Sequence, residues 1–415
     1  MTKKYLEIVD PIHDFIRIYE PEIDVIDTPV FQRLRRIRQL AGAHLVYPSA
    51  QHSRFEHSLG VMHIAGQAAE VLKDKGFLNS DDVANLRLGG LLHDVGHGPF
   101  SHLFEEVLQK KKKITHEEIG KKLILQTEIG DFISQSGFDK KFLTQLAFGN
   151  SKHQFMNEII SGGLSADMMD YLPRDGYFTG AEHAKIDFKR IVQSLGVYEK
   201  KLSLDKSSLY SFESMMISRY QMFKAVYFHK TVRSAEVMLL ESMSLADDEL
   251  EFSSYDLDKY IQLTDEFVIS KLIALPPKSP DLKRASKLAK DYQNRRLLKC
   301  VFEKILTRKE KIGIKPFKIK KEISKKSKVD ESEIFIDMST TPTIPLTPSK
   351  KESQSIILTS KKGSMQKEGY ELPISEIPLV YAISGFMNML RVYATEKNRK
   401  KVEIAAQAIL GENKS

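Results

Sequence analysis

Apolar positions recur at helical spacing from Asp10 to about Leu245, and loops rich in Gly, Pro and His separate the runs. Thr28 followed by Pro29 predicts a helix start, an N-cap with proline at the first helical position. Val30, Leu34, Ile37 and Leu40 extend that start as an apolar face, interleaved with Arg33, Arg35, Arg36 and Arg38. Leu59, Met62, Ala65, Ala69 and Leu72 predict a second helix, ended by Gly76. Leu86 to Leu92 is apolar almost throughout, as in a buried helix, and stops at the Gly96–Gly98–Pro99 cluster. Thr115 with Glu118 has the form of a capping box. One long helix is expected from Ser211 to Met243.

Beyond Leu245 the pattern changes. Pro276, Pro277 and Pro280 precede an expected helix from Ala285 to Leu306, followed by a lysine-rich interval from Lys315 to Lys328. Ile334–Met338 and Ser355–Ser360 read as strands, and the proline-broken Thr341–Pro348 as an extended segment. Ser375 to Tyr393 returns to helical periodicity. The expectation is a mainly α chain: a helical core over 1–250, a helical extension over 251–309 and a smaller basic α+β lobe over 310–415. No internal repeat is evident.

Composition narrows the class. With 415 residues, 41% hydrophobic and 28% charged, the chain can bury a large core and is neither fibrous nor disordered. A single cysteine, Cys300, allows no internal disulfide, and no run of 18 apolar residues predicts a membrane span. Met1 to Pro11 lacks the apolar stretch of a signal peptide. A cytoplasmic protein is expected, with no membrane partner. The net charge of +8 is misleading: Lys271 to Met365 holds 24 Lys and Arg against 10 Asp and Glu, which leaves −6 for the rest. Clustered lysines can neutralise phosphates, but without aromatic interleaving they make nucleic acid only a weak partner candidate.

Nine of the twelve histidines lie within the first 116 residues. Among them, His57 and the adjacent pair His93–Asp94, together with Asp167, suggest a metal centre. A His-Asp doublet at a helix end can turn both side chains to one ion. Two imidazoles and two carboxylates suit a divalent Mg, Mn, Fe or Zn and leave coordination positions for water, which hydrolysis needs.

RFEHSLGV (Arg54–Val61), GGLLHDVGHGPFSHLFE (Gly89–Glu105) and DMMDYLPRD (Asp167–Asp175) resemble the HD-domain phosphohydrolases. Together with DPIH (Asp10–His13) and IDTPVFQRLRRIRQL (Ile26–Leu40), they resemble more narrowly the deoxynucleoside triphosphate triphosphohydrolases related to the mammalian SAM-and-HD-domain enzyme. The likeness spans about residues 5–240, with no SAM domain expected ahead of it. It implies an HD-domain helical core in which His57, His93, Asp94 and Asp167 hold the metal. It also implies hydrolysis of dNTP to deoxynucleoside and inorganic triphosphate.

The departing 5′-oxygen needs a proton. His102 and His116 are the candidates to supply it, with His97 beside them and Glu105 and Glu117 available to hold an imidazolium. By resemblance, Arg54, Arg219 and Tyr171 contact phosphates, and Gln39 and Asp175 read the sugar 3′-hydroxyl. Leu40 and Tyr227 crowd the 2′ carbon, where a ribose hydroxyl would be desolvated without a partner. Asp27, Gln32 and Arg35 correspond to residues that grip an activating guanine nucleotide, GTP or dGTP, which would favour a homo-oligomer, a dimer or tetramer.

Three positions depart from that pattern. Met168 stands where a phosphate-binding lysine would follow the metal aspartate, Phe228 where a glutamine would face the base, and Asp14 where DPIH would be followed by glycine. Two other readings therefore stand beside the first. One is an HD phosphohydrolase or phosphodiesterase acting on another nucleotide or on RNA ends. The other is a nucleotide- or nucleic-acid-binding regulator.

Overall fold

A computed structural model describes residues 5–254, 256–306, 315–342, 355–362, 366–383 and 386–411. The chain opens with an antiparallel hairpin, β1 (Tyr5–Asp10) and β2 (Asp14–Tyr19). Asp14 begins β2 at φ 62°, a left-handed conformation that explains why glycine suits this position and why aspartate can replace it. Two short helices follow, α1 (Glu22–Ile26) and α2 (Pro29–Gln32), the second capped by the Thr28 hydroxyl with Pro29 at its first position. The expected apolar face through Leu40 does not continue as α-helix. After a 3-10 turn at Arg33–Arg36 the backbone extends at Ile37, because Ile37 and Gln39 bond instead to the segment entering the next helix.

That helix, α3 (Arg54–Asp74), and α4 (Ser80–Leu92) pack on each other, each started by a complete capping box. Gly76, at φ 79°, follows the end of α3 as expected. Next come α5 (His102–Lys112), α6 (His116–Gln126), whose Thr115–Glu118 capping box forms, α7 (Glu128–Gln135), α8 (Lys140–Ala147) and α9 (Gln154–Ile160). Helix α10 (Ala166–Thr179) crosses α3, and α11 (Phe188–Gln193) leads into strands β3 (Leu195–Tyr198) and β4 (Lys201–Asp205).

The long helix expected over Ser211–Met243 is two. Helix α12 (Leu209–Met222) ends in a π-turn at Phe223–Tyr227, and α13 (Lys230–Leu250) starts afresh, its first turn capped by His229. No Gly or Pro marks the break. Further on, α14 (Leu257–Ile261) and α15 (Asp265–Ile273) precede α16 (Pro280–Gln293), which stops short of the expected Leu306. Lys299–Ile305 is instead a strand, β5. The lysine-rich interval is a helix, Pro316–Ser327, and the two expected strands form as β6 (Ile334–Pro342) and β7 (Ser355–Lys362). Of the extended segment, Thr341 and Pro342 belong to β6, and the remainder lies outside the described residues.

Strand β8 (Gln366–Pro373) pairs with β7. The final expected helix is in part strand: a 3-10 turn at Ile374–Glu376 and the helix Pro378–Ile383 are followed by Phe386–Ala394, which forms β9. Its residues from Asn388 to Ala394 are buried on both faces, and such a run cannot be told from a buried helix by periodicity. A helix at Arg399–Leu410 closes the described chain.

The architecture is mainly α, as expected, with a smaller sheet-containing C-terminal part. Two sheets organise that part. Strands β5, β9 and β6 form one antiparallel sheet under the Pro316–Ser327 and Arg399–Leu410 helices, with its own apolar cluster around Ile323, Leu390 and Val402. Strands β7 and β8 join β3 and β4 in the other, β7 running parallel to β4. Among the described residues no helix is long and apolar enough to cross a membrane.

Candidate active site

The end of α4 and the start of α10 converge on the first turn of α3, and this crossing builds the site. Helix α3 contributes His57, the end of α4 contributes His93 and Asp94, and the first turn of α10 contributes Asp167. His57, His93 and Asp167 bring one ligand atom each within 4.8 Å of one another. Asp94 faces both imidazoles, its carboxylate 3.4 Å from His93 Nε2 and 3.7 Å from His57 Nε2, while Arg54 also pairs with it. Burial would raise the Asp94 pKa, but Arg54 and the neighbouring histidines hold it well below the usual carboxylate range.

The four residues fit a divalent ion. His93 Nδ1 bonds to the Gly90 carbonyl at 2.8 Å, which makes it the protonated nitrogen and frees the lone pair of Nε2. That Nε2 is buried with no hydrogen-bond partner among the described residues. His57 is oriented likewise, with Nδ1 2.8 Å from Asp170 Oδ2 and Nε2 3.2 Å from Asp167. Such outer partners fix tautomer and ring direction in metal-binding histidines.

Sequence reasoning missed this outer layer. Asp170 is fully buried and also accepts from Arg174 and from His13 Nε2, the latter at 2.7 Å. Arg174 in turn reaches Asp10 at 2.8 Å. Burial would raise the Asp170 pKa, yet Arg174, His13 and His57 hold it well below the ordinary value. The signal was present: Asp170 follows Asp167 by three residues, so both lie on one helical face.

Around the donors lies a cavity of ≈ 630 Å³ lined by Gln39, Leu40, Arg54, Tyr171, Asp175, Arg219, Tyr227 and Phe228, with His97, His102, His116 and Glu117 on the same wall. Arg54 is buried and donates from Nε to Ser101 Oγ at 2.7 Å. Arg219 donates to the Tyr171 hydroxyl. Asp175 is held from both sides, by His52 Nε2 at 2.7 Å and by the Tyr227 hydroxyl at 2.6 Å. His52, unassigned from sequence, thus positions a site carboxylate. Burial and that carboxylate push the Tyr227 phenol well up, so it stays a donor.

His97 stacks on His116 with ring centroids 4.0 Å apart. Glu105 faces Nδ1 of His116 at 2.9 Å and Nδ1 of His102 at 3.5 Å. Burial alone would raise the Glu105 pKa, but the two imidazoles lower it, so it is a carboxylate. Glu117 is exposed at the rim. Met168 is 2% exposed and packs in the apolar cluster with Ile160 and Leu172, so its side chain belongs to the core. Asp27, Gln32 and Arg35 lie away from this cavity. Gln32 bonds to Ile26 O at 2.9 Å and accepts from Arg35 at 2.8 Å, and Arg35 covers the Phe55 ring.

Two family models match the chain, the HD domain over residues 54–155 and the HD associated region over residues 186–415. The chain belongs to the HD-domain family. Its donor set, at the place where the HD domain model matches, is one that could hold a metal ion.

Among curated relatives of this HD-domain protein, the deoxynucleoside triphosphate triphosphohydrolase SAMHD1 homolog of Dictyostelium discoideum is 32% identical, covering 74% of this chain and 62% of the relative. Human deoxynucleoside triphosphate triphosphohydrolase SAMHD1 is 31% identical, covering 71% and 55%. An uncharacterized protein of Methanocaldococcus jannaschii is 37% identical, covering 64% and 54%. The HD-domain chain spans little more than half the length of these relatives. A crystal structure of a hypothetical protein from Aquifex aeolicus matches with a TM-score of 0.78 at 30% identity, covering 97% of this chain and all of that one. A phosphohydrolase from Bacteroides thetaiotaomicron matches with a TM-score of 0.75 at 26% identity, covering 94% of this chain and all of that one.

Proposed function

We propose that this HD-domain protein hydrolyses deoxynucleoside triphosphates to deoxynucleoside and inorganic triphosphate. One observation carries the reading: a single cavity joins the His57–His93–Asp94–Asp167 donors to two arginines and to a carboxylate fixed on both sides. His57, His93, Asp94 and Asp167 would hold a divalent ion, which supplies Lewis acidity and an activated water when bound. Arg54, buried beside the donors, meets the phosphate nearest the sugar. Arg219, oriented by Tyr171, meets the outer phosphates. Such preorganised cations act where charge develops in the transition state. The 5′-oxygen takes its proton from the His102–Glu105–His116 group, since Glu105 occupies Nδ1 of each ring and leaves Nε2 to transfer. Gln39 and Asp175 receive the 3′-hydroxyl, and Leu40 and Tyr227 close the space beside the 2′ carbon.

The test is to incubate protein loaded with Mg, Mn, Fe or Zn with each dNTP and NTP and to identify the phosphate released. Inorganic triphosphate from dNTPs supports the reading, whereas orthophosphate or pyrophosphate would sink it. Met168 favours a second reading. Its side chain lies in the core, so the residue after Asp167 adds no cation to the site, which suits a nucleotide carrying fewer phosphates, and the same product analysis distinguishes the two.

Activation by guanine nucleotide is the regulatory part of the proposal. Asp27 offers a carboxylate to guanine N1 and N2, while Arg35 and Gln32 share one surface beside it. The expected result is a higher dNTP turnover with GTP or dGTP, with a larger mass by light scattering. Equal rates and an unchanged mass would remove this part.

A further inference from the structure

The turn that carries His102 is bent in a way its residues resist. Phe100 and Ser101 are consecutive non-glycine residues at φ 53° and 54°, in the left-handed region that bulky side chains rarely adopt. Such conformations persist only where the surroundings over-determine them, and they cluster at functional sites. Here the surroundings come from far along the chain. Asp265, the first residue of α15, lies outside the region matched to the HD domain and is 1% exposed. Its Oδ1 accepts the Phe100 N–H at 2.8 Å and its Oδ2 the Arg38 N–H at 3.0 Å.

Each clasped residue precedes one that serves the site. Arg38 leads into Gln39, and Phe100 leads into Ser101 and His102. The two segments are also tied to each other, since Ser101 Oγ donates to Arg38 O at 3.3 Å and accepts from Arg54 Nε at 2.7 Å. One carboxylate therefore stands behind Arg54, Gln39 and His102 without touching the cavity, which Asp265 does not line.

We infer that Asp265 is a positioning residue for phosphoryl hydrolysis, clasping the backbones at Arg38 and Phe100 so that Gln39, Arg54 and His102 stand at the working distance from the donors. This rests on the phosphohydrolase reading above. A carboxylate accepting two backbone N–H groups on separate oxygens cannot be replaced by an amide, which has one accepting oxygen and turns an N–H₂ toward the other donor.

The experiment compares Asp265→Asn with wild type and with Glu266→Gln in the full-length metal-loaded protein. Glu266→Gln removes the exposed ion pair with Arg38 Nη2 and touches neither backbone contact of Asp265. Asp265→Asn should lower kcat at least tenfold with KM within threefold. It should also speed hydrogen exchange over residues 36–40 and 98–103 while leaving exchange elsewhere and Mn²⁺ affinity unchanged. Glu266→Gln should match wild type in all of these. If wild type is active and Asp265→Asn keeps kcat within twofold, the positioning role is overturned. Faster exchange spread evenly over the molecule, or kcat falling only in step with the folded fraction, would also overturn it. If wild type releases no phosphate from any nucleotide, the functional reading fails on its own. The exchange pattern then decides the clasp: acceleration confined to the two segments upholds it, and its absence overturns it.

Discussion

At the scale of single residues, the site depends on groups that hold the donors as much as on the donors. Asp94→Ala should abolish turnover, and retained activity in that variant would overturn the metal assignment. Asp170 gives a sharper test, because it touches His57 and lines no part of the cavity. Asp170→Asn should weaken Mn²⁺ binding by about 10–100-fold, the usual loss when a histidine's outer partner is removed. Unchanged affinity in a calorimetric titration would show that His57 orients itself.

Other histidines bear on stability. His44 and His63 are pushed down to about 4, chiefly by burial, with Arg38 adding at His44 and His13 and Arg87 at His63. A folded pKa below the unfolded value of about 6.5 leaves stability intact above that pH. As pH falls from about 6.5 toward 4 the unfolded chain gains protons that the folded one refuses, so stability is lost. The urea midpoint should therefore fall across this window, and less steeply in a His44→Gln, His63→Gln double variant. An equal slope in that variant would assign the loss to other groups.

At the scale of elements, the GHGPFSH turn works because glycines let backbones meet. A Cβ on Gly96 would lie 2.0 Å from the His116 carbonyl and 2.5 Å from the Gly120 nitrogen, both main-chain atoms of α6. Gly96→Ala must therefore push α6 from the turn. A loss of about 1–3 kcal/mol in chemical denaturation is expected, as for overpacked cores, together with reduced turnover because His116 moves. Wild-type stability would mean that the turn and α6 are less closely packed.

The same turn shows what could be read beforehand. Its glycines, the capping box at Thr115 and the buried helix ending at Leu92 were legible because local chemistry and tertiary structure agree there. The four candidate metal ligands stood out because donor types cluster within recognisable blocks. Legibility failed where long-range contacts decide. The break at Phe228 has no breaker residue and is stabilised by Arg391, which donates to the Phe228 carbonyl at 2.6 Å. Ile37 extends for bonds to a loop beyond it, and β9 reads as helix because both its faces are covered. The Asp265 contacts join residues whose proximity no spacing along the chain reveals.

At the scale of the molecule, the C-terminal sheet is fastened to the helical core by charge. Arg233 on α13 donates to both oxygens of Asp337 on β6, at 3.1 and 2.8 Å, and to Glu236. Asp337 is 6% exposed. Breaking a buried pair by removing one partner typically costs about 3–5 kcal/mol, since the remaining charge keeps its desolvation without compensation. Asp337→Ala should approach that loss in a urea titration. A change under about 0.5 kcal/mol, the size typical of neutral surface substitutions, would show that the pair does not join the two parts.

The parallel pairing of β7 with β4 also governs how the chain is made. Leu204 and Leu358 sit side by side in that ladder, so β4 is made well before the strand that pairs with it. Until then the edge of β4 is open, and its backbone can pair with any extended segment nearby. Pairings of such long sequence separation form slowly. Nascent or truncated chains ending before Ser355 are therefore the forms of this protein that should recruit chaperones or aggregate.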